Sequence, residues 1–337
     1  MRVASPSPND SLYPDPEPRS TVRVHRTVEE RPRTSAQARV ARHLLKRLRA
    51  PDSPLTIRRA REPRELETAY RLVHDVFVEQ GYLRAEPDGL RLRVYELNPD
   101  MATFIAKAEE RIVGVLSVVL DSSELGLPSD KVFGAELDAL RRGARTIAEI
   151  TNLAVDPAYR GTNLFLELAR CASTHLLARR VDRAFVAVSR AHGAVFESVL
   201  CFRPCGEARS YSTDLVDIVE GLAWDASAFE AELSALDAQL LVRPGLHAWF
   251  FDENPRAKEE LRECRDAESA FFAADVPRAL LARAPHIAAC LARSDRAALE
   301  SLWARRAPRG WSPPWKPTRW HLRDRRVPPS DFPRSAA

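Results

Sequence analysis

Lysine is nearly absent from this chain. Lys46, Lys107, Lys131, Lys258 and Lys316 are the only lysines among 51 basic residues. Arginine in place of lysine changes a surface little unless bidentate pairing is involved, so the bias reads as composition rather than chemistry. Long apolar runs are missing as well. The longest near-continuous one, Ile112 to Leu120, falls far short of the roughly 18 to 20 residues that cross a bilayer, which predicts a soluble protein. The opening residues MRVASPSPNDSLYPDPEPRS lack the apolar centre of a secretory signal, so a cytoplasmic location is expected. The five cysteines, Cys171, Cys201, Cys205, Cys264 and Cys290, form no CxxC pair, and their odd number argues against a disulfide framework. Cys201 and Cys205, with only His192 nearby, are too few ligands for zinc, so no metal is expected.

What is present is ordinary globular usage, 45% hydrophobic and 29% charged over 337 residues, enough for about two folded units. The charge is uneven. Residues 1–64 hold 15 Lys or Arg against 7 Asp or Glu, a surplus larger than the net +4 of the whole chain, so the remainder is slightly acidic. Residues 1–54, rich in Pro, Ser and Arg, are expected to be a disordered basic arm with one short amphipathic helix between Ser35 and Arg49. That helix suits either docking on an acidic partner or anionic membrane surface, or capping the core.

Residues 55–225 alternate strands and helices. LTIRRA from Leu55 predicts a strand, and Leu66, Ala69, Tyr70, Val73, Phe77 and Gln80 mark the expected buried stripe of a helix that starts after Pro63 and runs to about Gln80. TFIAKA and RIVGVLSVVLD predict a hairpin around Glu109 and Glu110. A short helix from Gly134, a strand RTIAEITNLAVD, a helix from about Asn163 to Arg180, a strand RAFVAVS, a helix from Ala191 to Leu200 and two closing strands give the order βαββαβαβαββ. Residues 226–306 predict a helical domain. Residues 307–337 form a tail of prolines with Trp311, Trp315 and Trp320, either docked or disordered.

The chemistry concentrates near Glu149, because a carboxylate in the middle of an apolar strand is costly unless it is paired or functional. Strict alternation puts Glu149, Thr151 and Leu153 on one face and Ile150, Asn152 and Ala154 on the other. The alternative to a functional Glu149 is an ion pair with a neighbouring arginine such as Arg141 or Arg145. Ser189 is a candidate helix cap, and His192, like His74, is either a structural histidine or, for His192, a contact to a bound substrate.

The strand ending EITNLAVDPAYRG, followed by helix, strand, helix and a final CF pair, resembles the GNAT acyltransferase fold, an α/β architecture with a central mixed sheet flanked by helices. In that family the motif after the strand holds the coenzyme A diphosphate on backbone amides, which implies donor binding at Val155, Arg160, Gly161, Thr162 and Asn163. Asn163 and Phe165 replace glycines of the motif, with the Phe165 ring expected where a diphosphate would approach. A narrower resemblance spans about residues 56–224. YRLVHDVFVEQGYL, DSSELGLPSDKVFGAELDALR and AEITNLAVDP are similar to the long-chain N-acyl amino acid synthase family of the FeeM type, which is related to acyl-homoserine lactone synthases. This resemblance implies transfer of a fatty acyl group from acyl carrier protein to an amino acid α-amine, and hence lipid signalling products. Glu149 would take the amine proton, and a backbone N–H of Leu153 or Ala154 would polarise the thioester carbonyl.

GNAT enzymes often carry a tyrosine that protonates the leaving thiolate, where this chain has Phe196. Arg84, Arg91 and Arg190 are candidates for the acceptor carboxylate, and His192 for a contact to the donor's pantetheine or the acceptor. The implied partners are acyl carrier protein, an amino acid acceptor and peripheral contact with a membrane, with no nucleic acid. The donor group is acyl-phosphopantetheine or acyl-CoA, with no tightly bound cofactor. Two alternatives are a coenzyme A dependent N-acetyltransferase and a catalytically silent GNAT-like binding module.

Overall fold

The computed structural model describes residues 38–43, 55–211, 218–241 and 245–315, without the side chains of 261 and 264–270. Most of the basic arm, its disorder, and Trp320 lie outside the described residues. The exception is a helical stretch at 38–43, where Ala38 and Ala41 are buried in the main core while Arg39 and Arg42 face solvent.

The α/β order matches the expectation element for element. Strand β1 (Leu55–Arg59) is followed by α1 (Pro63–Glu79), β2 (Ala102–Ala108), β3 (Arg111–Leu120), α2 (Asp130–Gly143) and β4 (Ile147–Val155). Then come α3 (Leu164–Ala178), β5 (Arg183–Ser189), α4 (Arg190–Val199), β6 (Arg203–Ser210) and β7 (Ile218–Asp225). The strands form one mixed sheet in the order β1-β2-β3-β4-β5-β7-β6. Every neighbour pair is antiparallel except β4 with β5.

Two irregularities in that sheet shape the site. The parallel pairing of β4 with β5 stops early, with Ile147, Ala148 and Glu149 beside Arg183, Ala184 and Phe185 and nothing beyond. From Ile150 onward the β5-facing edge of β4 therefore has no strand partner. Secondly, β4 carries one more residue than β3 between the pairs Ser117 with Thr151 and Val115 with Ala154. Such a bulge puts two consecutive residues on one face and reverses the alternation after them. Asn152 absorbs the distortion at φ 54°, a left-handed conformation that asparagine tolerates better than most residues. The strict alternation is corrected accordingly. Asn152 and Ala154 share the Glu149 face, and Leu153 turns to the opposite face, against the core that holds Ile150.

That opposite face is covered by α3 and α4. Its core contains Ile150, Leu164, Leu168, Val186, Phe196 and Trp224. The Glu149 face is covered by α1 and α2, with Tyr70, Val119, Phe133, Ile147 and Phe185 buried between them. Helices after Asp225 extend both cores rather than building a separate one. Phe229, Leu233, Leu236 and Leu240 of α5 (Ala226–Leu240) lie at helical spacing in the first core. Helix α6 (Ala257–Ala273) packs along α3. Residues Val276, Leu280 and Leu281 of α7 (Val276–Arg283), then α8 (Pro285–Cys290), and Leu299 and Trp303 of α9 (Arg293–Arg306) adjoin the second core. Trp311 and Trp315 dock on Trp303, each with ring centroids 5.2 Å from it, and the Trp303 indole donates to the Leu97 carbonyl at 3.0 Å. The early tail is thus a clamp of tryptophans over the segment that enters β2.

Candidate active site

Glu149 sits in the centre of the sheet and is 2% exposed. Its oxygens accept two hydrogen bonds from one residue: the Ser129 backbone N–H at 2.9 Å and the Ser129 hydroxyl at 2.8 Å. Ser129 immediately precedes α2, so the carboxyl lies at the positive end of that helix. Burial, only partly offset by the Ser129 bonds and the charge of Arg93, pushes the Glu149 carboxyl up to about 7. A group of that kind exchanges a proton near neutral pH, which a general base requires. Tyr211 flanks it, its hydroxyl donating to the Pro128 carbonyl at 3.2 Å, with burial and then the charge of Glu149 pushing the phenol up.

The ion-pair alternative is corrected. Arg141 is held by Asp121, Asp130 and Asp138, and Arg145 lies near Asp182, so neither reaches Glu149.

A second buried carboxyl stands beside the bulge. Glu96, in a 3-10 turn at Val94–Leu97, is paired with Arg93 at 2.7 Å and accepts from the Asn152 amide at 3.0 Å. Burial pushes Glu96 up, and the Arg93 guanidinium more than reverses this, so the carboxyl is held below the usual carboxylate range. Arg93 also donates to the Asn152 side-chain oxygen at 3.2 Å. From Asn152 the polar chain runs to Ser117 at 3.5 Å, Thr103 at 3.1 Å and the Tyr70 hydroxyl at 3.0 Å, crossing three strands. Replacing Asn152 by alanine keeps the left-handed backbone without its tolerant side chain and removes a donor from Glu96. It is expected to lower unfolding free energy by about 2 kcal/mol, read from urea midpoints, while Asn152→Gly loses less because it relieves the backbone.

The segment expected to bind the donor connects β4 to α3. Gly161 takes φ 79°, and Val155 lies opposite Gly114. Much of the loop is bonded to itself. The N–H groups of Ala158, Tyr159, Arg160 and Thr162 donate to Asp156, Pro157 or Tyr159, and that of Leu164 donates to the Thr162 hydroxyl. The Arg160 guanidinium holds Glu79 in a two-pronged pair at 3.1 and 2.5 Å. Asn163 precedes α3 without capping it through its side chain. The Phe165 ring is half-buried and packs 5.5 Å from Phe196, which in turn packs 5.3 Å from Phe202. Being apolar, the ring rests against the edge of the core.

Among the acceptor candidates, Arg190 is mostly exposed and pairs with Glu220, Arg91 lies 5.9 Å over the Phe77 ring, and Arg84 is exposed. The arginine beside Glu149 is Arg93, which nothing in an arginine-rich chain distinguished beforehand. Ser129 was legible in principle: Pro128, Ser129 and Asp130 form a helix-start signal four residues ahead of the predicted one. His74 accepts the Glu86 N–H at Nε2 and bonds Asp75 through Nδ1. Among the described residues Cys171, Cys205 and Cys290 form no disulfide, and no cluster of three metal-ligating side chains occurs. No described helix is long and apolar enough to cross a membrane.

No curated protein matches this chain. Among solved structures, the N-acyl amino acid synthase FeeM from uncultured soil microbes is 23% identical, with a TM-score of 0.47 over 53% of this chain and 94% of its own. The coenzyme A dependent acyl-homoserine lactone synthase BjaI is 17% identical, with a TM-score of 0.39 over 56% and 91%. A GNAT-family acetyltransferase from Streptococcus pneumoniae is 15% identical, with a TM-score of 0.34 over 51% and 99%. Residues 68–216, which contain Glu149, Asn152, Arg93 and Glu96, match the family model of the N-acyl amino acid synthase FeeM. The segment from 68 to 216 is therefore similar to the FeeM N-acyl amino acid synthase family, and it lies within the seven-stranded mixed α/β sheet.

Proposed function

We propose that the protein transfers a long-chain fatty acyl group from the phosphopantetheine thioester of acyl carrier protein to the α-amine of an amino acid. The observation that carries this reading is Glu149, a buried carboxyl pushed up to about 7 beside the unpaired edge of β4. In the mechanism, Glu149 takes the proton that the amine loses as its nitrogen attacks the thioester carbonyl, directly or through one water. A backbone N–H of Leu153 or Ala154, at the bulge where β4 parts from β5, stabilises the oxyanion. The carbon–sulfur bond then breaks, leaving the amide and the carrier thiol. Arg93, already oriented by Glu96 and Asn152, is the cation near Glu149 and so the candidate to steady the acceptor carboxylate.

The donor follows from the loop of Val155, Arg160, Gly161, Thr162 and Asn163. Its self-bonded amides and its Arg160–Glu79 pair leave less for a diphosphate, which favours a carrier protein's single phosphodiester over coenzyme A. Acyl carrier protein thioesters mixed with the enzyme and a pool of amino acids should yield N-acyl amino acids by mass spectrometry. Formation from acyl-CoA at an equal or higher rate would overturn the carrier assignment, and no N-acyl product from either donor would overturn the activity.

A further inference from the structure

The reaction needs a proton for the departing thiolate, and the helix after β5 offers none at Phe196, whose ring is 1% exposed between Phe165 and Phe202. A hydroxyl does stand at the end of β5. Ser189 Oγ lies 2.9 Å from His192 Nδ1, and the Tyr82 hydroxyl donates to the same Oγ at 3.4 Å. Ser189 precedes α4, yet its side chain makes no capping bond to that helix, so its hydroxyl is committed to the histidine and tyrosine instead.

Counting along the strands from their last parallel pair brings this group to the level of the bulge. Glu149 is level with Phe185 in the parallel pair, and Ser189 follows Phe185 by as many residues as Leu153 follows Glu149. On that count Ser189 falls across the divergence of the strands from Leu153 and Ala154. The face is right as well. Phe185 and Ala187 belong to the Glu149-side core and Val186 and Val188 to the other, so the alternation of β5 turns Ser189 to the Glu149 side. Ser189 is nearly buried, whereas His192 is exposed and can recover a proton from water.

We infer that Ser189 is the acid that protonates the leaving thiolate, with His192 resupplying it. This rests on the acyl transfer proposed above. When the tetrahedral adduct collapses, the carbon–sulfur electron pair goes to sulfur and the Ser189 Oγ–H proton follows it. The Oγ takes the Nδ1 proton of the His192 imidazolium, and the imidazole regains one from solvent. Ser189 is the catalytic residue of the pair. His192 acts through it, and Tyr82 fixes the rotamer of its hydroxyl.

The test measures kcat and KM across pH with acyl carrier protein thioester as donor. Ser189→Ala should lower kcat about 100-fold with KM unchanged, and Ser189→Thr, which keeps the hydroxyl, should recover at least tenfold of that loss. An acid must be protonated to act, so the wild-type rate should fall on the alkaline side, and His192→Ala should lack that falling limb. Equal losses in the alanine and threonine variants, a loss carried by KM, or a falling limb retained without His192 would overturn the inference. So would an acyl group found on Ser189 in a quenched reaction, since the hydroxyl would then be a nucleophile. A wild-type enzyme that forms no N-acyl product from the same donor would instead overturn the proposed function beneath it.

Discussion

Glu149→Gln is expected to lower kcat by about 1,000-fold, within the range that general bases contribute. The substitution is nearly isosteric. The glutamine oxygen accepts the Ser129 N–H, and the Ser129 hydroxyl can reverse to accept from the new amide, so the fold should survive. The pH dependence separates chemistry from structure. A base works when deprotonated, so wild-type kcat/KM should rise with pH through about 7, and the residual activity of the variant should lack that limb. Stability should move the other way. The folded carboxyl binds its proton up to about 7, whereas an unfolded glutamate releases it near the ordinary value of 4.5, so the native state holds the extra proton in between. Wild-type stability therefore declines as pH rises through that window, and the glutamine variant should lack this component of the decline. Urea midpoints at pH 5 and pH 8 for both proteins measure it. A variant that keeps a tenth of wild-type activity, or shows the same stability decline, would remove Glu149 from the role of base.

Arg93→Ala should cost about 3 to 5 kcal/mol of stability, because it strands the Glu96 carboxylate in the core. The Glu96 side chain has no exposure, and its other donors, the Arg93 backbone N–H at 2.6 Å and the Asn152 amide at 3.0 Å, carry no charge. The sign with pH is again determined. In the wild type Glu96 is held below the usual carboxylate range, so its contribution is present above that range and is lost as pH falls through the folded value. The penalty of the variant should be largest near neutrality and shrink in acid, where a neutral Glu96 is tolerated. The double variant Arg93→Met with Glu96→Gln should recover most of the loss, since no charge is then left buried. Equal destabilisation by the single and double variants in urea unfolding would show that packing, not the charge, matters at Arg93.

How much of this was legible in the sequence differs between the frame and the site. The element order from β1 to β7 follows from local patterns: alternation in β2 and β3, the stripe of α1 from Leu66 to Phe77, and Pro157 ending β4. Glu149 also stood out, because a charge within IAEITNLAV conflicts with its surroundings and such conflicts mark sites. Its partners were hidden. Ser129 is 20 residues away and Arg93 more than 50, and no local rule selects one arginine or one serine from so many.

The bulge is the sharpest instance. Alternation assumes an even strand, and only the pairing of β4 against β3 shows the extra residue that moves Asn152 and Ala154 to the Glu149 face. Phe165 is another case: its departure from the glycine pattern is visible in the chain, but the direction of its ring is set by Phe196 on a different helix.

Residues 226–306 likewise show helical periodicity and nothing about where those helices bind. Their packing on the two faces of the sheet, with Trp303 clamped over Leu97, joins residues about 200 positions apart. The sequence by itself determined the elements, their order and the anomalous carboxyl, since these depend on neighbours along the chain. Tertiary structure alone decided which groups surround that carboxyl, where β4 parts from β5, and that Ser189 stands beside His192 across the gap, since burial and register are properties of strands and helices brought together from afar.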